Sequence, residues 1–241
     1  METNYLVLVR HGQSTWNLEN KFTGWTDVDL TSQGEEEAKE AGKLLMKENF
    51  TFDIVHTSLL KRANRTMQIC LNEMGQLEIP IYYSWRLNER HYGSLTGLNK
   101  EETKKKIGEE QFKKYRRSWD ISPPAMEEKS EYQNLFSPLN ASIPVGTVPF
   151  TESLKDTYDR VVPFYEKEIK ENLQKNKNIL ISAHGNSLRS LCKYLFKLDN
   201  KKISKLEIPT GNPLFIEFDG DNKILNCEYL DSERAKDLLV Y

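Results

Sequence analysis

The sequence predicts an α/β fold, a three-layer sandwich in which a mostly parallel central sheet is flanked by helices. Three observations lead there. Short apolar runs, partly β-branched, alternate along the chain with stretches of helical periodicity, the pattern of a sheet covered by crossover helices. Two of the apolar runs lead straight into a His-Gly pair, at His11-Gly12 and at His184-Gly185. Two late runs are separated by Asp219-Gly220, a hairpin signal.

Each element has its own warrant. Tyr5–Val9 is an unbroken apolar run and reads as a fully buried strand. Arg10 to Asn17 is polar, contains Gly12 and reads as a loop. A helix then starts from a cap at Thr31 or Ser32, with Ser32 and Glu35 at capping-box spacing and Ala38, Ala41, Leu44 and Leu45 as its apolar stripe. Asp53–His56 is a second strand, and Ser58 reads as the cap of a helix through Leu60, Ala63, Met67, Leu71 and Met74. Ile79–Tyr83 and Asn178–Ala183 are the next strands, the latter followed by a helix through Leu188, Leu191 and Leu195. Leu214–Phe218 and Ile224–Tyr229 complete the hairpin. Residues 119–150 interrupt the alternation: they hold five of the nine prolines and keep neither a strand nor a helix period. Helical periodicity resumes at Glu152, so this stretch reads as an ordered, lid-like insertion in a single domain spanning 1–241.

Composition narrows the function. A chain of 241 residues buries a large core without disulfides or metal. Cys70, Cys192 and Cys227 are odd in number and far apart, which disfavours a disulfide framework and a cysteine zinc site and fits the cytoplasm. No apolar run approaches the roughly 18 residues of a membrane helix, and no basic segment followed by a long apolar one opens the chain as a secretion signal. With 34 basic and 36 acidic residues the net charge is −2, which argues against a broad nucleic-acid footprint. The P-loop and dinucleotide-fingerprint motifs are missing, and without His-Glu-x-x-His or a carboxylate cluster at metal spacing no metal is expected.

If the strands before His11 and His184 are neighbours, both histidines meet at one pocket beyond the carboxyl ends of the sheet. A neutral imidazole nitrogen is a nucleophile toward phosphorus, and the guanidinium of Arg10 suits phosphate oxygens. A lone strand-His-Gly is more simply a structural histidine; the second one reverses that preference. His56 follows a strand without a basic neighbour and reads as structural, and His91, between Arg90 and Tyr92, is undecided from its surroundings. Arg10, Arg62, Arg90, Lys100, Arg116 and Arg117 occur near turns or helix ends. In a net-acidic chain such a cluster suits a small polyanion. Glu89 either orients Arg90 or carries a proton to and from a substrate hydroxyl, and spacing alone favours the first.

The stretch from Leu8 to Ser14 resembles the signature of the histidine phosphatase superfamily. Phe22 to Leu30, Thr57 to Arg62, Trp85 to Gly93, Tyr115 to Arg117, Ser122 to Pro124, Thr151 to Leu154, Ala183 to Ser187 and Pro209 to Gly211 all resemble, in family order, the 2,3-bisphosphoglycerate-dependent phosphoglycerate mutases. The resemblance implies that family's sandwich and its interconversion of 3- and 2-phosphoglycerate, with minor synthase and phosphatase activities. It makes His11 the phosphoryl carrier, Arg10, Arg62 and His184 the phosphate clamp, and Glu89 the proton carrier, against the preference drawn from spacing. It places Gly12, Gln13, Ser14, Thr15, Trp16, Asn17, Thr23, Gly24, Arg90, His91, Tyr92, Lys100, Arg116, Arg117, Gly185 and Asn186 around the substrate. It further implies 2,3-bisphosphoglycerate as the primer of His11, no metal, a homodimer or homotetramer, and no nucleic-acid or membrane partner.

Three departures stand out. Gln13 replaces a glutamate frequent after Arg-His-Gly. No Asp-x-Arg-Tyr-type segment lies within 137–146, so the lid is expected to differ in shape. The chain ends at Asp237–Tyr241 without an Ala/Gly/Lys-rich tail, which is expected to favour water as acceptor and so raise phosphatase leakage. Ser14 argues against a bisphosphoglycerate-synthesising relative, the Tyr115–Arg117 segment against a simple phosphatase, and the presence of His11, Arg62, Glu89 and His184 together against a pseudoenzyme.

Overall fold

The computed structural model describes residues 3–133, 143–144 and 146–235. Its centre is a six-stranded sheet in the order β3-β2-β4-β1-β5-β6. The strands are β1 (Asn4–Arg10), β2 (Ile54–Thr57), β3 (Ile81–Tyr83), β4 (Ile179–Ala183), β5 (Leu214–Phe218) and β6 (Ile224–Tyr229). The first four in space run parallel, while β5 pairs antiparallel with β1 and with β6. The mixed but mainly parallel sheet and the terminal hairpin agree with the sequence reading.

The apolar runs of β1 and β4 are central because they are covered on both faces. Leu6 and Leu8 pack into one core cluster, and Val7 and Val9 into the other, as strand alternation requires. The cluster around Val7 and Val9 is roofed by α2 (Ser32–Lys47) and α3 (Lys61–Glu73) through Ala38, Ala41, Leu45, Met67 and Leu71. The opposite cluster is roofed by α6 (Leu154–Phe164), the π-helical turn Tyr165–Ile169, α7 (Lys170–Leu173) and α8 (Gly185–Leu195). Pro163 lies inside α6 just before that turn, where it lacks an amide and crowds the preceding carbonyls. Smaller helices complete the chain: α1 (Thr15–Leu18), α4 (Lys100–Ile107), α5 (Glu109–Arg117) and α9 (Asn200–Lys205).

Local details correct three expectations. The loop after Arg10 contains the single turn α1, whose cap Ser14 accepts from the Asn17 amide while the Asn17 side chain accepts from Ser14. The cap of α2 is Thr31, not Ser32: its hydroxyl accepts from the Gly34 amide, and Glu35 turns outward to pair with Arg65. Ser58 does not cap α3, whose N-cap is Leu60 without a side-chain bond. The Ser58 hydroxyl instead accepts from the Leu60 amide and faces His184.

Within 119–150, the described residues contain a single 3-10 turn, Glu131–Gln133, and no strand or α-helix. They are anchored: Pro124 accepts from the Ser94 amide, Met126 donates to Phe150, and the Tyr132 ring meets Trp16 edge-on at 5.7 Å. Most of 137–146, where the altered lid was expected, and residues 237–241 lie outside the described residues.

Candidate active site

The parallel register builds the site. Arg10 stands opposite Ala183 across β1 and β4, so the next residue of each strand, His11 and His184, leaves the sheet at the same level. Their ring centroids are 5.0 Å apart, and both residues are buried. Gly12 lets the turn after His11 lie against α2, since a Cβ there would meet the Gly34 carbonyl oxygen at 2.1 Å.

His11 is held as a neutral base. Its Nδ1 lies 2.7 Å from the Gly12 carbonyl oxygen, which only accepts, so Nδ1 carries the proton. Arg62 Nε donates to His11 Nε2 at 3.3 Å, so Nε2 presents its lone pair. Burial, then Arg62 and Arg10, push the His11 pKa well below its ordinary value, because a desolvated cation beside two others is disfavoured. His184 is pushed the same way by burial first and then by Arg62. Arg62 is aimed by its two other nitrogens, which donate at 2.9 Å to the carbonyls of Thr26 and Gly24. Burial lowers its pKa to about 10, which leaves it charged at neutral pH. Arg10 donates to the Ile208 carbonyl at 2.7 Å, and its Nε has no partner among the described residues. Its guanidinium lies over Gly185, where a Cβ would come within 3.4 Å of Nε. Glycine there lets the cation rest at the amino end of α8, where backbone amides also attract anions.

Glu89 sits on the opposite wall, 8% exposed. Its Oε1 accepts from the amides of Arg90 at 2.7 Å and Asn186 at 3.2 Å, and its carbonyl accepts from Trp25 Nε1 and from Arg160. The buried Arg160–Glu152 ion pair, at 2.7 Å, braces this turn through bonds to the carbonyls of Arg86, Asn88 and Glu89. Asn186 Nδ2 lies 3.1 Å from the Tyr92 hydroxyl, so α8 is tied to the same wall.

Of the residues singled out in the sequence, Arg10, His11, Asn17, Thr23, Gly24, Arg62, Glu89, Tyr92, Lys100, Arg116, Arg117, Gly185 and Asn186 line one cavity. The lining does not include Gly12, Gln13, Ser14, Thr15, Trp16, Arg90, His91 or His184, although the fully buried His184 ring sits 5.0 Å from that of His11. Gln13 donates its amide to Glu37, Thr15 donates its own to Asp29, and Trp16 packs on Tyr132. The Arg90 guanidinium lies over the Tyr92 ring, and His91 accepts from the Gly93 amide. The cavity also takes in Lys21, Phe22, Arg189, Glu207 and Ile208, which sequence reasoning missed. Arg189 could have been found three residues after Asn186 on one helix face, where it donates to Asn186 Oδ1 at 2.8 Å. Nothing in the sequence marked Glu207, which pairs with Arg117.

Seven cationic side chains against two carboxylates line the cavity, in a chain whose net charge is −2. A small ligand with several anionic groups suits that imbalance. Among the described residues, no cluster of three or more His, Cys, Asp or Glu could hold a metal ion, and no helix is long and apolar enough to cross a membrane.

Comparison with known proteins agrees with this chemistry. The model of the histidine phosphatase superfamily (branch 1) matches residues 6–138 and 127–228. The chain is 53% identical over 237 residues to a 2,3-bisphosphoglycerate-dependent phosphoglycerate mutase of Pelagibacter ubique, covering 98% of this chain and 99% of the relative. A protein of the same description from Treponema denticola is 52% identical over 228 residues, covering 95% and 92%. Among solved structures, Bacillus stearothermophilus YhfR superposes with a TM-score of 0.69 at 23% identity, over 92% of this chain and 94% of that one, a likeness of fold.

Proposed function

The chain belongs to the 2,3-bisphosphoglycerate-dependent phosphoglycerate mutase family of the histidine phosphatase superfamily, and on that premise we infer that it interconverts 3-phosphoglycerate and 2-phosphoglycerate, in glycolysis and gluconeogenesis, through a phosphohistidine at His11. The observation that carries the mechanism is the unprotonated Nε2 of a neutral, buried His11 inside a cavity with an excess of cations. An unprotonated nitrogen attacks phosphorus, and the surrounding charge stabilises the transferring oxygens.

Each half-reaction exchanges one bond to phosphorus for another. His11 Nε2 releases the phosphoryl group as the substrate hydroxyl oxygen takes it, and Glu89 accepts the hydroxyl proton. In the second half Glu89 returns the proton to the departing oxygen while His11 Nε2 takes the other phosphoryl group. Arg10, Arg62 and His184 hold the group in transit. Lys100, Arg116 and Arg117 take the carboxylate and the remaining phosphate, with Asn17, Thr23, Gly24, Tyr92, Gly185 and Asn186 as close walls. Bound 2,3-bisphosphoglycerate supplies the phosphoryl group that charges His11. Its three anionic groups fit a cavity with this cation excess.

The experiment treats the protein with a chelator, incubates it with 3-phosphoglycerate with and without trace 2,3-bisphosphoglycerate, quenches, and then measures 2-phosphoglycerate. Bisphosphate-dependent product is expected. Release of inorganic phosphate without 2-phosphoglycerate would replace the mutase reading by a phosphatase.

We assign the protein to the cytoplasm and to a homodimer or homotetramer. Self-association is supported by β3, a sheet edge whose Tyr82 and Tyr83 are 53% and 44% exposed, since an exposed aromatic edge strand invites pairing. Light scattering that shows only the 28.1 kDa monomer at micromolar concentration would contradict it.

A further inference from the structure

Three adjacent strands end in a row at the site. Thr57 of β2 stands opposite Ser182 of β4, and Ala183 of β4 stands opposite Arg10 of β1. The residues that follow bring Ser58, His184 and His11 together at the carboxyl edge of the sheet. Ser58 and His184 are both fully buried. The Ser58 Oγ lies 2.7 Å from His184 Nε2 and also accepts from the Leu60 amide at 3.1 Å. The same turn is fixed on either side: the Leu59 amide donates to Asn88 Oδ1 at 3.0 Å, and Thr57 Oγ1 donates to the Ser182 carbonyl at 2.9 Å. The turn that carries Ser58 is thus held on both sides, with the Ser58 hydroxyl against the imidazole.

We propose that Ser58 is a positioning residue for phosphoryl transfer, holding the His184 ring in the orientation that meets the phosphoryl group on its way to and from His11. This rests on the phosphohistidine reading given above. Burial alone does not set the rotation of an imidazole about its own bonds; a short hydrogen bond from a fixed partner does. A helix cap would satisfy amides at the start of α3, but the Ser58 hydroxyl meets the amide of Leu60, which precedes that helix. Its remaining partner among the described residues is His184. The geometry thus points to the site.

The step affected is the charging of His11. An N–P bond forms at His11 Nε2 as the P–O bond of 2,3-bisphosphoglycerate breaks, and the departing oxygen takes the Glu89 proton. Ser58 makes and breaks no bond to phosphorus.

The test is a double-mutant cycle read by single-turnover phosphorylation of His11 from 2,3-bisphosphoglycerate, using wild type, Ser58→Ala, His184→Gln and the double variant. Ser58→Ala is expected to slow phosphorylation by about tenfold to a hundredfold, the range for loss of a bond that orients a reacting ligand, and to leave KM for 3-phosphoglycerate within about twofold. In the His184→Gln background the same change is expected to add nothing. Ser58→Thr, which keeps the hydroxyl, is expected to recover part of the rate, and Ser58→Gly, which also lacks the hydroxyl, replaces alanine in the cycle if that variant fails to fold. A wild-type rate in folded Ser58→Ala, or an equal slowing with and without His184, would overturn the proposal. Failure of the wild type to become phosphorylated at all would instead overturn the phosphohistidine reading.

Discussion

The imidazoles of His11 and His184 meet at a centroid distance of 5.0 Å and an interplanar angle of 60°, a separation set by the pairing of Arg10 with Ala183 one residue earlier. Two residues far apart in sequence become one site because two buried strands share a register. A one-residue slip would send one of the rings to the other face of the sheet.

His11→Ala removes the nitrogen to which Arg62 Nε donates at 3.3 Å. Phosphoenzyme formation and mutase turnover are both expected to vanish, with the fold retained by circular dichroism. Residual isomerisation by folded His11→Ala would mean that another group carries the phosphoryl.

Glu89→Gln keeps an oxygen able to accept from the Arg90 and Asn186 amides but cannot take a proton. Turnover is expected to fall by about 10²-fold or more, in line with loss of a general base. Charging of His11 by the bisphosphate is expected to suffer less, because the departing oxygen has an alternative proton source in water. Equal loss of both would show that Glu89 serves to place Arg90 and Asn186.

Part of the pH dependence of stability comes through His56 and His91, neither of which lines the cavity. Burial depresses both His56 and His91 to about 4. Unfolded, they take protons near pH 6.5. The unfolded chain thus binds more protons as pH drops from 6.5 toward 4, and stability present above that window is lost across it. The loss at pH 5 is roughly 2 kcal/mol per histidine. Neither ring nitrogen of His56 has a partner among the described residues, and its ring stacks on Tyr82 at 5.5 Å. His56→Phe is therefore expected to recover much of its share of the lost Tm at pH 5. An unchanged acid profile in that variant would contradict the assignment.

Glu207 pairs with Arg117 at the cavity wall, the two side chains partly exposed at 46% and 28%. A substrate carboxylate or phosphate competes for the same guanidinium. Glu207→Gln is expected to lower KM for 3-phosphoglycerate by up to about fivefold, the most that a partly exposed ion pair supports. A raised KM would show that Glu207 holds Arg117 ready for the ligand.

Much of this was legible in the chain because it is local. The unbroken run at Tyr5–Val9 and its counterpart ahead of His184 announced buried central strands, and the His-Gly that follows each announced where chemistry sits. What escaped depends on partners distant in sequence. Ser58 reads locally as a helix cap, since nothing near it reveals a hydrogen-bond partner 126 residues away in His184. Glu207 carries no motif, and its partner Arg117 lies 90 residues off. Thr31 and Ser32 are equivalent caps by residue type, and only the folded turn, in which the Thr31 hydroxyl accepts from the Gly34 amide, separates them. Spacing alone could not give Glu89 a function, because its place depends on Asn186 arriving from α8.

The most direct test of a phosphohistidine mutase is to charge the protein with 2,3-bisphosphoglycerate, remove free ligand, locate the modified residue by mass spectrometry, and chase with 3-phosphoglycerate. The expected result is one phosphoryl group on His11 that leaves on the chase, with 2-phosphoglycerate formed when the bisphosphate is retained. A protein that turns over 3-phosphoglycerate while His11 stays unmodified would contradict the mechanism at its centre.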